Sequence, residues 1–305
     1  MLENVLTVGN YVLILFVLIG VGFVCNKTRI LTKVSIKDFT NLILYIVTPC
    51  VIVNSYLREF DSEMLKGLII TIAGAIVSFA ISIILAHLLV HDNDKRREKT
   101  LRFGAVFSNC GYMSLPLQSA MLGDVGVFYG ATFVAVFQVV LWTYGVWLMS
   151  GDSKSISIKK ILINPGVIST VIGVVIFVFS INIPAVLGEP IKFLAALNTP
   201  VPMIIVGFHL AGANLKINGV PTVTSIFLRL IVAPLIMIGG MYLCGITGTV
   251  LISSVIAVSA PFAAATTMFA EKFDGDTALS STTVSVTTLL SIITMPLIVG
   301  IAAML

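Results

Sequence analysis

Charge is what this sequence has least of. Asp, Glu, Lys and Arg together make up 10% of its 305 residues, where a soluble domain carries about 25%. That deficit, with 58% hydrophobic residues, excludes a soluble fold. The apolar runs are continuous over about twenty residues, the length a helix needs to cross a ~30 Å hydrocarbon core. An outer-membrane barrel is excluded too, because its strands alternate in polarity over about ten residues. Histidine is scarce, with 3 in the chain. There is no "HExxH" run, no pair of intramembrane aspartates and no buried Ser–His arrangement, so no enzyme is expected. His87 and His91 stand near each other at a helix end without a third ligand, and neither a metal nor another cofactor is expected. The 4 cysteines, Cys25, Cys50, Cys110 and Cys244, lie in apolar runs without ligand spacing. They read as small buried hydrophobes, with no disulfide. The opening "MLENVLTVGN" has no basic stretch and no small-residue cleavage site after it, so the first apolar run reads as a retained helix.

What remains is an all-α membrane protein. Apolar runs against polar punctuation give ten transmembrane helices, at 8–25, 36–57, 64–90, 99–122, 125–148, 165–182, 190–213, 222–244, 247–271 and 276–304. Basic residues orient them. One set of loops holds Lys27, Arg29, Lys33, Lys37, Lys95, Arg96, Arg97, Lys99, Arg102, Lys154, Lys159, Lys160, Lys216 and Lys272, with Arg229 nearest that side. The other holds only Arg58, Lys66 and Lys192, a split of 15 to 3 among 18 basic residues. The positive-inside rule then puts both termini outside a plasma (inner) membrane. The net charge of +4 reflects topology and contact with anionic lipid, and it implies no nucleic acid.

The chain also reads as a duplication. Its longest polar connection, "SGDSKSISIKK", falls at the midpoint, dividing residues 1–150 from 164–305 with a cytoplasmic loop over 151–163. Three dipeptides recur about half a chain apart: Thr48-Pro49 with Thr199-Pro200, Ala105-Val106 with Ala257-Val258, and Gly123-Asp124 with Gly275-Asp276. Five helices per half is an odd number, so the halves would insert as inverted repeats, an arrangement typical of secondary transporters.

Two spans look interrupted. "SNCGYMSLPL" puts Asn109, Gly111, Ser114 and Pro116 in the fourth, and "AVSAPFAAATTMFA" puts Ser259, Pro261, Thr266 and Thr267 in the ninth. Asn109 lies about 15–18 Å from the helix start by helix rise, at the bilayer midplane. Each span reads as two half-helices, the second beginning near its proline and aiming its N-terminus at the midplane. Free N–H groups and the helix dipole there favour an anion. The plainer account is a pair of proline-kinked helices with Asn109 bonded to a neighbour.

Among single residues, Asn109 is the first substrate-binding candidate, an amide able to donate to a carboxylate. Ser114, Ser259, Thr266 and Thr267 offer hydroxyls, although such groups often bond back to their own helix. Gly111, Pro116 and Pro261 would shape the break, and Gln138 supplies a second buried amide. Asn54 and Asn198 beside the repeated Thr-Pro are candidates for a gate or scaffold contact, and His209 for a proton carrier. Arg229 reads as snorkelling to the cytoplasmic interface, about 10 Å from its deep position. No fixed positive charge is then expected near the site.

These residues carry a resemblance. "VLIGVGFVCNKTRILTKVSIKDFTNLILYIVTPCVIVNS", "NCGYMSLPL", "INPGVISTVIG" and "SAPFAAATTMFAEKFDGD" are similar to the opening pair, fourth, sixth and ninth helices of the auxin efflux carrier family, bacterial relatives of plant PIN carriers. The resemblance implies a ten-helix fold like that of sodium–proton antiporters and bile-acid transporters, with broken helices four and nine crossing at a midplane site. It also implies a homodimer, with a transport domain moving against a scaffold, and a small organic anion such as a mono- or dicarboxylate as substrate. A proton or sodium ion could be coupled to it. The competing readings are a sodium-coupled carrier of the bile-acid type and a non-transporting receptor or channel.

Overall fold

The computed structural model describes residues 2–157, 159, 162–212 and 215–305. Lys160, one of the basic loop residues, and position 213, the expected end of the seventh span, lie outside them. The described chain is helical: α1 (Leu2–Lys27), α2 (Lys33–Tyr56), α3 (Ser62–Leu89), α4 (Lys95–Val106), α5 (Cys110–Ser150), α6 (Pro165–Val178), α7 (Ala185–Ala211), α8 (Val220–Leu243), α9 (Gly248–Ser259), α10 (Ala265–Lys272) and α11 (Thr277–Ala302). No strand occurs among the described residues, and an isolated antiparallel bridge pairs Ser108 with Phe262. Seven helices are long and apolar enough to cross a membrane (α1, α2, α3, α5, α7, α8 and α11), and α6 and α9 are shorter apolar helices. Large apolar side chains such as Val17, Phe193 and Leu243 face outward. A soluble fold would hide such groups, and lipid accepts them.

Helix starts follow their caps. Asp61, Asp94 and Asp276 accept amides of the first turns of α3, α4 and α11. Asn164 accepts from Gly166 and Val167 at the start of α6, with Pro165 in the position where a missing N–H costs nothing. α5 has 41 residues, about 60 Å if straight, twice the hydrocarbon thickness. It is not straight. Gly123, at φ 63° and ψ −155°, divides it into arms 110–122 and 124–150, in a conformation that glycine adopts without steric cost. α7 is likewise two arms, Ala185–Ala196 and Pro200–Ala211, parted by a turn at Leu197 to Thr199.

Three prolines within the spans are absorbed by wider turns, while Pro190 and Pro296 stand inside α7 and α11 without one. π turns at Ile43–Val47, Cys110–Ser114 and Leu228–Val232 each lead straight into an α segment with proline as its second residue: Pro49, Pro116 and Pro234. Proline lacks the N–H for the preceding turn and clashes with its carbonyl, and one extra residue in that turn relieves both.

Packing is closest between α1 and α7. A Cβ on Gly22 would lie 2.1 Å from the Ile204 carbonyl oxygen, and one on Gly207 would lie 1.9 Å from that of Ile19. The two backbones therefore touch through small residues, the usual basis of helix association in lipid. At one end of the bundle Lys99 donates to the carbonyls of Met149 and Phe273 at 2.9 and 2.7 Å. Arg96 pairs with Asp274 at 2.7 Å beside it, so the start of α4 is tied to the ends of α5 and α10.

Gly207→Val should lower the thermal stability of detergent-purified protein by about 1–3 kcal/mol, the usual cost of overpacking. Gly20→Val, whose site has nothing within 4 Å, should leave the melting temperature in place.

Candidate functional site

The two interrupted segments meet. α4 ends at Val106, Phe107 is extended and Ser108 bridges to Phe262, and Asn109, at φ −78° and ψ 49°, turns the chain into α5. α9 ends at Ser259 because Pro261 drives the residue before it out of the helical region: Ala260 sits at φ −62°, ψ 150°. The two extended pieces lie antiparallel. The Asn109 amide donates to the Pro261 carbonyl at 2.8 Å, and the Ala263 amide donates to the Phe107 carbonyl at 2.9 Å. The Phe262 amide donates to the Thr287 hydroxyl of α11 at 3.2 Å. The Phe262 ring lies on Gly104, where a Cβ would come within 2.1 Å of it. Three backbone amides freed by the breaks thus find partners within the protein, which irregular chain inside an apolar bundle requires.

The carbonyls at the two helix ends are satisfied by side chains. Ser108 donates to Ala257 at 2.8 Å and Ser114 to Ile256 at 3.1 Å. The principal partner is Arg229. Its guanidinium donates to Val106 at 2.9 Å and Ala105 at 3.4 Å, and to the Val258 carbonyl. One side chain from α8 therefore caps α4 and α9 together. Arg229 is 2% exposed, so the expected snorkelling does not occur. The misjudgement came from measuring depth along α8 alone, when the carbonyl ends of two other helices come to the guanidinium. A fixed positive charge does stand at the crossing, contrary to expectation. Its partners among the described residues are neutral carbonyls, which the helix dipoles make partly negative.

Beyond the crossing, new helices begin. α5 opens with Cys110 and Gly111, and α10 with Ala265. A helix leaves its first four amides without partners of its own. The break in the fourth segment precedes Pro116 by a full π turn, so that proline lies inside the second half-helix and does not start it.

The candidate residues divide into groups. Asn109 is 6% exposed and holds the crossing through its backbone, while its side-chain amide has no protein partner among the described residues. Gly111 adjoins it with open space where a Cβ would be, and Pro261 is its direct partner. Ser114 and Ser259 are both buried and both donate to the Ile256 carbonyl, so their hydroxyls are occupied in holding the break. Thr266 is buried with its hydroxyl unpartnered among the described residues, and Thr267 next to it is half-buried. Asn54, Asn198 and Pro116 come together elsewhere, lining a cleft of about 210 Å³ between α2, α5 and α7.

Two candidates sit apart from the crossing. Gln138 accepts from Asn164 at 3.4 Å, beside the cap of α6. His209 is on the exposed side of α7, edge-on to Phe208. Three further polar side chains, Gln118 at the crossing and Lys192 and Asp124 in the cleft, were not among the candidates. Gln118, fully buried, donates to the Ser253 carbonyl at 2.8 Å and links α5 to α9. A mid-span amide was the available signal, the same one that singled out Gln138. Lys192 and Asp124 also line the cleft, and nothing in their spacing announces it.

Comparisons with known proteins agree with a membrane carrier. An uncharacterized transporter of Methanothermobacter thermautotrophicus is 22% identical over 290 residues, covering 94% of this chain and 95% of that protein. Another from Methanocaldococcus jannaschii is 24% identical over 302 residues, covering 94% and 96%. The family model described as membrane transport protein matches residues 7–161 and 152–299. With both halves of the chain matched, this protein belongs to that membrane transport family, the auxin efflux carrier family.

Proposed function

We propose that this protein is a secondary transporter of a small organic anion, working by alternating access around the crossing of α4–α5 and α9–α10. The observation that carries the proposal is that crossing: two unwound segments paired through Asn109 and Ala263 amides, each followed by a new helix N-terminus. Carboxylates are favoured where free amides and positive dipole ends converge, and the Asn109 amide adds a donor there.

Ten crossings in two inverted halves account for the elements. α4 with the first arm of α5 counts as one, the second arm of α5 as another, and α9 with α10 as a third. The recurring dipeptides support this count. Thr48-Pro49 and Thr199-Pro200 both stand where a helix segment begins. Ala105-Val106 and Ala257-Val258 both end the first half-helix, with carbonyls taken by Arg229 and Ser108. Gly123-Asp124 and Gly275-Asp276 both lead into the next helix. On the positive-inside assignment, both termini face outward from the plasma (inner) membrane.

Arg229 sets the charge of the site. It bonds to both helix ends and so moves with them. A bound monocarboxylate would cross as a neutral pair with Arg229, and the empty return step would carry the positive charge.

A thermal-shift screen of small carboxylates should find ligands that stabilise the wild type. Asn109→Ala should lose that shift while melting at a similar temperature without ligand. If every stabilising carboxylate acts equally on Asn109→Ala, the site lies elsewhere. Repeating uptake without sodium separates an uncoupled or proton-coupled carrier from a sodium-dependent one.

In proteoliposomes, exchange of a monocarboxylate, which uses only loaded steps, should be indifferent to membrane potential. Net uptake should respond to it. Arg229→Gln should make residual exchange voltage-dependent, and Arg229→Lys should preserve the wild-type pattern. Arg229→Gln should also cost about 1–3 kcal/mol for each carbonyl left unpaired.

A further inference from the structure

The cleft between α2, α5 and α7 has its own chemistry. It is lined by Asn54, Asp124, Lys192, Asn198 and Thr199 and reaches Leu115 and Pro116 in the arm that leads back to the crossing. Its volume of about 210 Å³ equals the share of about seven waters in the liquid, enough for a small metabolite. It holds one cation and one anion. Lys192 meets Glu189 only at 4.0 Å, and its side chain is 67% exposed, so the ammonium group is free to turn into the cleft. Asp124 is exposed on the opposite wall. Arg58 lies near Asp124, but its guanidinium donates to the Ser55 carbonyl at 2.8 Å and stacks over Phe128.

A second observation points to a ligand. Asn198 is 4% exposed, and its side-chain oxygen has no hydrogen-bond partner among the described residues. A buried acceptor without a donor is destabilising, and native structures rarely keep one without a function. What it lacks is a hydrogen-bond donor, which an ammonium N–H would supply. An N–H on the ligand would meet this oxygen while its positive charge meets Asp124. The ligand's negative end would meet Lys192 and the positive dipole end of the α7 arm that begins at Pro200. A plain dicarboxylate would instead turn one negative end toward Asp124, a like-charge contact that selects against it.

We propose that this cleft is a binding subsite for a small zwitterion of the α-amino-acid type, its carboxylate on Lys192 and its ammonium on Asp124 and Asn198. The proposal rests on the transporter reading for its purpose, since Leu115 and Pro116 of the cleft belong to the arm of α5 that starts at the crossing. It does not rest on the anion preference of the crossing itself.

The test is calorimetric titration of the full-length protein in detergent with L-alanine, with propionate as the carboxylate alone, ethylamine as the ammonium alone, and malonate. L-alanine should bind saturably, and propionate and ethylamine should each bind about tenfold more weakly or worse. Lys192→Gln and Asp124→Asn should each weaken L-alanine by a similar factor. Both residues are exposed, so neither change threatens the fold. Asn198→Ala should weaken L-alanine and ethylamine but not propionate. Propionate or malonate binding as tightly as L-alanine and losing that affinity in Lys192→Gln would overturn the proposal, as would L-alanine binding unaffected by both charge substitutions or no saturable L-alanine binding at all. Stabilisation by malonate that depends on Asn109 but not on Lys192, without L-alanine binding, would keep the crossing as a carboxylate site and reject this subsite.

Discussion

Two helices that stop inside an apolar bundle leave carbonyl groups that water does not reach, and the rest of the architecture depends on how those groups are satisfied. Arg229, Ser108 and Ser114 take the carbonyls of Ala105, Val106, Ile256, Ala257 and Val258. The short antiparallel pairing of Asn109 with Pro261 and Ala263 with Phe107 takes the extended residues between. Because Arg229 reaches both ends, α4 and α9 are bound to each other and to α8. A motion that carried one break without the other would strand a guanidinium or several carbonyls, so the crossing moves as a unit or not at all.

The same contacts separate the electrostatics of the crossing into two parts. Carbonyl ends of α4 and α9 carry partial negative charge, and the two terminal nitrogens of the guanidinium bond to them, while its Nε has no hydrogen-bond partner among the described residues. Amide ends of α5 and α10 point the other way, with no acidic side chain hydrogen-bonded to their first turns among the described residues. On the proposed reading, a negative guest would be met by those amides and by the side chain of Asn109. Lysine in place of Arg229 would keep the charge but lose the planar fork that spans two helix ends, so the two residues are not equivalent here.

Much of this was legible in the sequence, and the failures have physical causes. Low charge and twenty-residue apolar runs identified a helical membrane protein. Asn109 and Pro261 marked real interruptions, since an amide and an unhelical proline neighbour are both costly in an unbroken span. Pro116 misled as a marker of the break, because the π turn at Cys110–Ser114 absorbs it and the chain has already unwound at Phe107. Arg229 misled because snorkelling is a rule about one helix in lipid, while its partners came from distant segments that no spacing along α8 announces. Ser114 and Ser259 were legible as polar groups in the right region. That both turn to the carbonyl of Ile256 depends on the tertiary crossing. The cleft of Lys192 and Asp124 gave no local signal, since its walls are 68 residues apart in sequence.

On the proposed reading of two inverted halves, dipeptides as ordinary as Ala-Val and Gly-Asp would carry information at half-chain spacing. Ala105-Val106 and Ala257-Val258 are small or β-branched residues in the last turn before a break, where neighbouring backbones come close enough to reach their carbonyls. A larger side chain at Ala105 or Ala257, both 3% exposed or less, would hold those neighbours off. Gly123 takes a positive φ and Gly275 packs against Ala270 and Thr100, so each glycine permits a turn that bulkier residues would block. Under the proposed duplication, what persists is what the broken helices require, and the weakest signal in the sequence would then record the strongest constraint in the fold.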